Sequence, residues 1–521
     1  MEQPVDHVIN RKLLYLIIGF SLLELLIHLY TNAFAGYGYF RDELYYIACS
    51  KRLAWGYVDQ PPLSSFILFI SIRLFGNSIF ELRLLPALMS GVTVFLAGLI
   101  TRKLGGRSFA VALACLSVAI APEFLGTNSI YSMNGLDWMF WSLTAYIVLL
   151  IVGADISGGE TGKLWTWLGI VLGFGLLNKI DILWLGLSLF IGLLLTPQRK
   201  YLKSKWPYVT GAIAFAIFSP YIIWNLTHNF ASLEFIHTAS AIKYSSLNPG
   251  TFISGTIDSL NRLALPVWIA GIYFFFFHKE GRRFSLLGYL FIVSFMVLII
   301  NWHSKPEYIA PAFPIIFAAG GVMFEKIVSI RGFGWTRFAM PVLVVVYGLL
   351  SLPFAIPILP AESFIKYSNL LGVKPSTSER QRLADLPQWY ADMFGWENMA
   401  ASVSKVYTSL SPEDQKRAKV FAQNYGEAGS IDFFSKKYPL PPVICPHNNF
   451  WYWGYGDTTR DIIIAIGGSK GDYLSTFSFV DEAGSIHSDY AIPYENNLKI
   501  FICKGMKSSP KDVWNRVRFF I

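Results

Sequence analysis

The segment GYFRDELYYIACSKRLAWGYVDQPPL, residues 38–63, sets adjacent carboxylates, Asp42 and Glu43, beside Arg41 and directly after a long apolar stretch. A third carboxylate, Asp59, precedes Gln60 and a Pro-Pro pair. A carboxylate near lipid is costly and needs water or a partner, so acids at the mouth of a membrane helix suit a base facing the water side. Carboxylates and cations gathered on one face of a membrane suit a phosphate-linked substrate. The cations neutralise the phosphate, and a carboxylate takes the proton of an attacking hydroxyl. The candidates on that face are Arg41, Asp42, Glu43, Asp59, Asn134, Asp137, His228, His237, Lys243, His303, Lys305 and Glu307. Outer loops are also polar simply because water is there, and for any single residue that explanation weighs at least as much. For Asp42 and Glu43 chemistry is favoured, because Tyr39, Phe40, Leu44, Tyr45 and Tyr46 hold them at the membrane surface. Glu24 and His28, one helical turn apart, read as a buried polar pair, and HNNFWYWGYG (447–456) reads as a structural aromatic cluster.

The elements that carry these residues follow from composition. The chain has 521 residues, 54% apolar and 15% charged, which excludes an ordinary water-soluble globule. The apolar residues fall in blocks of ~20, the length that crosses a bilayer core. The net charge of +9 sits in short clusters between those blocks, as the positive-inside rule expects, and not in a nucleic-acid-binding surface. With these clusters cytoplasmic (Arg11/Lys12, Arg102/Lys103/Arg107, Lys163, Arg199/Lys200/Lys203/Lys205, Lys279/Arg282/Arg283 and Lys326/Arg331/Arg337), eleven spans are predicted. They run 12–33, 81–101, 108–125, 136–153, 164–178, 180–196, 206–225, 262–278, 284–301, 308–324 and 338–358. The N-terminus is then inside and the C-terminal tail outside. The first block is read as a retained span, not a cleaved signal. Residues 164–196 are read as two short helices meeting at an outer turn near Lys179, and 62–76 as a helix in the membrane interface.

The sequence divides into a membrane part, 1–360, a polar linker, 361–388, and a tail, 389–521. The tail reads as helix 389–410, strand 420–425, helix 426–438, strand 461–468, strand 497–505 and a last helix 511–520. That alternation predicts a small α/β domain with its own core. Cys445 and Cys503 lie in it, as a disulfide or as two buried thiols, and no zinc-type cysteine spacing exists.

RDELYYIACSKRLAWGYVDQPPL and ELRLLPAL (81–88) resemble bacterial glycosyltransferase family 39. These are the C-type membrane glycosyltransferases related to protein O-mannosyltransferases, the lipid A aminoarabinose transferase and the rhizobial galacturonosyltransferases. NSIYSMNGLDW (128–138), GFGLLNK (173–179) and SKPEYIAPAFP (304–314) continue the resemblance in order. LPQWYADMFGW (386–396), NYGEAGSIDFF (424–434) and HNNFWYWG (447–454) resemble a tail found on other members and name no substrate. The resemblance implies a GT-C fold, a polyprenyl-phosphate-linked sugar donor and transfer at the periplasmic face of the inner membrane. It implies that Asp42 is the catalytic base, Glu43 its acidic neighbour and Asp137 the aspartate of the second outer loop. Asp59 stands where a relative's carboxylate contacts zinc, and Gln60 where that relative has a phosphate-binding lysine. Lys305 or Arg41 would replace that lysine. His237 is the candidate metal-binding histidine, with zinc, magnesium or manganese as the ion.

The expectation is thus an α-helical membrane glycosyltransferase with a periplasmic α/β domain, giving one sugar to a hydroxyl of a lipid, glycan or protein of the cell envelope, such as lipopolysaccharide. A transporter or flippase of lipid-linked sugars is the rival, but transporters pair repeats around a midplane site and no repeat is visible. A third reading makes the tail a recruiting module on an inactive membrane part, against which the intact Asp42 weighs.

Overall fold

The computed structural model describes residues 11–243, 248–302, 304–377 and 379–521. It resolves into two compact units that do not follow chain order. The first comprises Met1–Ala35, Phe80–Ile222 and Ser246–Ile358. The second comprises Gly36–Ile79, Ile223–Ser245 and Leu359–Ile521, so the first loop is packed with the tail.

The first unit is helical. Among the described residues, seven helices are long and apolar enough to cross a membrane, or up to nine if each of two sharply bent pairs counts as one span. Each of the eleven expected apolar runs contains a helix, but some helices are shorter than the run. Ser108–Ala119 has 12 residues because the chain breaks before Pro122. Gly162–Asn178 has 17 and Ile182–Leu195 has 14, separated at Lys179–Asp181 as the interrupted pattern suggests. The helix Phe313–Val328 lies at the centre. A Cβ on Gly320 would stand 2.1 Å from the Val267 carbonyl oxygen, and one on Gly271 2.2 Å from that of Ile316. These glycines let Leu265–Phe276 approach backbone to backbone, the packing that apolar surroundings favour. The helix Arg11–Phe34 is mostly unburied and shows Leu22, Leu26 and Tyr30 outward, a lipid-facing surface. Within it, Glu24 accepts from the Ser90 hydroxyl at 2.6 Å and lies 3.4 Å from His28, the buried polar pair expected there.

The second unit is α/β. Its strands are β1 (Ala418–Phe421), β2 (Val443–Ile444), β3 (Ile462–Ile466), β4 (Phe477–Ile486) and β5 (Leu498–Met506). The sheet order is β2-β1-β3-β5-β4, with β1 parallel to β2 and β3 and the β5 pairings antiparallel. The central strand β3, IIIAI, is buried throughout, as a strand covered on both faces must be. The first strand ends at Phe421, short of the expected 425, because Asn424 caps the helix Tyr425–Phe434 by accepting from Gly426 N and Glu427 N. The edge strand β4 was not legible: its sequence FSFVDEAGSI shows most of its length to solvent, so no apolar alternation marks it. The supposed linker contains the helix Ala361–Leu370. Leu63–Phe75 is helical and stops at Gly76, whose φ of 106° only glycine adopts freely. All four cysteines are free and buried; Cys445 and Cys503 sit in different side-chain clusters.

Candidate functional site

The first-loop helix Arg41–Ser50 starts where Phe40 leaves extended backbone. Glu43, in the first turn, is fully buried, and its Oε2 accepts the Phe40 N–H at 2.8 Å. It satisfies a donor that a helix start otherwise leaves orphaned. Asp42 keeps its side chain 36% exposed, and its Oδ1 accepts the Tyr425 hydroxyl at 2.9 Å and Arg41 Nε at 3.3 Å. The two adjacent acids therefore have different environments: one serves the backbone and the other faces outward.

Arg41 is buried among acids. Its Nη1 donates to the Tyr494 hydroxyl at 2.6 Å and lies 3.6 Å from Asp392, while Nη2 lies 3.6 Å from Glu379. Glu379 is also 3.5 Å from Lys243 Nζ. A guanidinium shared among Asp42, Glu379 and Asp392 fixes carboxylates and is a poor candidate for an open phosphate contact. Burial pushes the Asp392 carboxyl up to about 6, with Arg41 pulling down and Glu379 and Asp42 adding to the rise. Burial likewise pushes Asp59 up to about 6, against the Tyr45 hydroxyl that donates to its Oδ1 at 2.9 Å. A cleft of about 320 Å³ opens beside this cluster, bordered by Arg41, Lys243, Glu379, Arg380, Tyr425 and Tyr494.

Glycines make this cluster possible. A Cβ on Gly426 would meet Arg41 Cγ at 2.7 Å, and one on Gly429 would meet the Leu44 backbone carbon at 3.0 Å. The G-x-x-G face of Tyr425–Phe434 therefore lies directly on Arg41–Ser50. Tyr425, Glu379, Asp392 and Tyr494 were not among the residues singled out from sequence. Asp392 and Tyr425 do lie in the quoted motifs LPQWYADMFGW and NYGEAGSIDFF, and the glycine spacing in NYGEAGS is a further signal.

Other expected residues are placed differently. Gln60 is 1% exposed and its Oε1 accepts from the Ser64 hydroxyl at 3.2 Å. His237 is exposed on Ala231–Thr238. His228 stacks on Trp224 with ring centroids 4.2 Å apart. His303 lies outside the described residues. Among the described residues, no three His, Cys, Asp or Glu side chains gather as a metal-binding set.

The first unit holds a second charged group. Lys179 Nζ lies 3.0 Å from Asp181 and 3.6 Å from the fully buried Asp137, and 5.6 Å from the Tyr308 ring. Asn178 fixes the helix end by donating to the Met133 carbonyl at 2.8 Å. Lys305 lies 3.8 Å from Glu307, and the charges of Glu307, Lys305 and Lys179 all act on Glu123. Asp137 and Lys305, singled out from sequence, thus belong to a cluster that also contains Lys179, Asp181 and Glu123.

Comparison with known proteins gives this architecture a class. Crystal structures of ArnT from Cupriavidus metallidurans share the fold: the apo form at TM-score 0.59 and 14% identity, covering 93% of this chain and 98% of that one. The form bound to undecaprenyl phosphate gives TM-score 0.58 at 13% identity, covering 94% and 97%. Residues 59–224 match the family described as dolichyl-phosphate-mannose-protein mannosyltransferase. The mostly helical, multi-pass membrane fold is thus shared with these ArnT structures, and the match over 59–224 agrees with the resemblance carried by the first loop. Among curated relatives it is similar to undecaprenyl phosphate-alpha-4-amino-4-deoxy-L-arabinose arabinosyl transferase 2 of Pseudomonas fluorescens, 24% identical over 308 residues. That match covers 53% of this chain, and the chain spans about half of the relative's length, 48%.

Proposed function

We propose that the protein transfers one sugar from a polyprenyl-phosphate carrier to a hydroxyl of a lipid, glycan or protein acceptor. The matching family and relatives, and the undecaprenyl phosphate bound to a protein of this fold, support the donor class. A fold alone does not name a reaction, so the argument rests on a residue. The observation that carries it is the exposure of Asp42: its side chain is 36% exposed, against 7% for Glu379 and 0% for Asp392 around the same arginine. Asp42 is the base. It takes the acceptor's hydroxyl proton as the new C1–O bond forms and the bond from C1 to the phosphate oxygen breaks. The polyprenyl phosphate departs with the electron pair and needs little protonation, so one carboxylate suffices where a glycosidase pairs two. Glu43 caps the helix that presents Asp42. Lys305 contributes charge to hold the donor phosphate, with Lys179 beside it in the first unit and Asp137 as the acid that orients Lys179.

The protein resides in the inner membrane, with its N-terminus cytoplasmic and its tail periplasmic. The basic clusters between apolar blocks support this orientation. A C-terminal alkaline phosphatase fusion is then active, and a fusion to a fluorescent protein that matures only in the cytoplasm is dark. No step is routed through a metal; elemental analysis of purified protein reads directly whether a divalent ion accompanies Asp59. The reading itself is tested by purified protein with a polyprenyl-phosphate sugar and envelope extract. Appearance of a glycosylated acceptor and free polyprenyl phosphate is expected, and movement of intact donor across a vesicle bilayer without transfer would favour the flippase.

A further inference from the structure

We propose that Tyr425, in the tail, is a positioning residue for the reaction: its hydroxyl fixes Asp42 Oδ1 and leaves Oδ2 to receive the acceptor's proton. The inference rests on Asp42 being the base. It makes the tail part of the chemistry and not a recruiting module.

Four observations carry it. The Tyr425 hydroxyl donates to Asp42 Oδ1 at 2.9 Å. A carboxylate on a short side chain rotates freely unless an oxygen is pinned, and a wrongly turned base loses most of its value. Second, the tyrosine itself is held. Its ring lies 4.8 Å from that of Tyr45 and 4.8 Å from that of His447, with the Arg41 guanidinium 5.6 Å over its face. Third, its backbone N–H donates to His447 Nδ1 at 3.4 Å, and His447 Nε2 donates to the Ile521 carbonyl oxygen at 2.9 Å. Burial pushes His447 down to about 3, so the imidazole stays neutral and keeps Nδ1 as an acceptor. Fourth, Tyr425 is the first residue of a helix capped by Asn424 and seated through Gly426 and Gly429 on the helix that carries Asp42. A side chain packed among Tyr45, His447 and Arg41, on a capped helix whose glycines admit a close approach, is built to hold an atom in place. The hydrogen bond of this hydroxyl among the described residues goes to Asp42, and the ring packing would be served equally by phenylalanine.

The test is a double-mutant cycle on the full-length protein in detergent, with Tyr425→Phe, Asp42→Asn and both. Tyr425→Phe keeps the ring and removes only the hydroxyl. It is expected to lower kcat about 10–100-fold, the size of a hydrogen bond to a charged group, with KM for donor and acceptor and the melting temperature nearly unchanged. In the Asp42→Asn background the same change is expected to cost nothing further, because the group it positions is gone. Unchanged kcat in Tyr425→Phe overturns the proposal, and so does an equal loss in both backgrounds, which would mark a structural role. Full activity of Asp42→Asn alone sinks the assignment of the base instead, so the two failures are distinguishable.

Discussion

The two charged clusters are built in opposite ways. In the first unit, Lys179 lies between Asp181, two residues away in the chain, and Asp137, on one span. In the second, Arg41 holds Tyr494 from 453 positions away, together with Glu379 and Asp392. The first is a local break between two apolar helices, whose polar residues have nowhere to go but toward each other. A charge in apolar surroundings persists only when paired. The second is assembled by tertiary folding: Glu379 and Asp392 are buried against Arg41, while Asp42, bonded to the same arginine, keeps part of its side chain exposed. The difference teaches which cluster tolerates change: the first depends on charge balance, the second on the geometry of one oxygen.

That contrast breaks most sharply at Asp42. Asp42→Asn preserves size and removes the basic site, so turnover of folded protein is expected to fall by about 10²–10⁴-fold. Glu43→Gln should lower thermal stability more than it lowers kcat, since Glu43 serves the Phe40 N–H. Near-normal transfer by Asp42→Asn, or a dead and well-folded Glu43→Gln, would exchange the two roles.

Next in size is Lys179→Ala. It leaves Asp137 buried without its cation and is expected to destabilise the first unit by about 3–5 kcal/mol. Thermal unfolding in detergent reads this, and Asp137→Asn added to Lys179→Ala should recover part of the loss. Equal stability of Lys179→Ala and the native chain would remove charge balance as the principle of that cluster.

Lys305→Ala is expected to raise the donor concentration needed for half-maximal rate by about tenfold, the worth of one charge-assisted contact, with Lys305→Arg regaining part of it. An unchanged donor response would remove Lys305 from donor binding.

The smallest effect is in pH. Asp392 titrates near 3.8 when exposed and is pushed up to about 6 in the fold, mainly by burial. The folded chain therefore holds a proton that the unfolded chain releases between about pH 4 and 6. Stability contributed there is present below that window and is lost as pH rises through it. Asp59, pushed up to about 6, adds in the same sense. Comparing Asp392→Asn with the native chain at pH 4.5 and 6.5 isolates the first: the variant should show a shallower fall in melting temperature. An equal fall would mean that Arg41 keeps Asp392 ionised throughout.

Much of the molecule follows from the sequence alone. Apolar runs of spanning length, the positive clusters between them and the break at Lys179–Asp181 are dictated by the bilayer, which penalises every unpaired charge and every unsatisfied backbone group. The strands IIIAI and LKIFICKGM were legible because burial demands continuous or alternating apolar residues, whereas β4, mostly exposed, left no such mark. Asp42 was singled out by its place at the mouth of a helix, and Asp137 and Lys305 by the motifs around them. Only the tertiary structure decided that Glu43 turns inward as a cap, that Gln60 is buried, and that Arg41 serves acids. It alone brought Tyr425 to Asp42, across 383 residues. A hydrogen bond between distant segments leaves no periodicity in either one. It exists only because Gly426 and Gly429 let two helices touch, and a sequence shows the glycines without showing what lies against them.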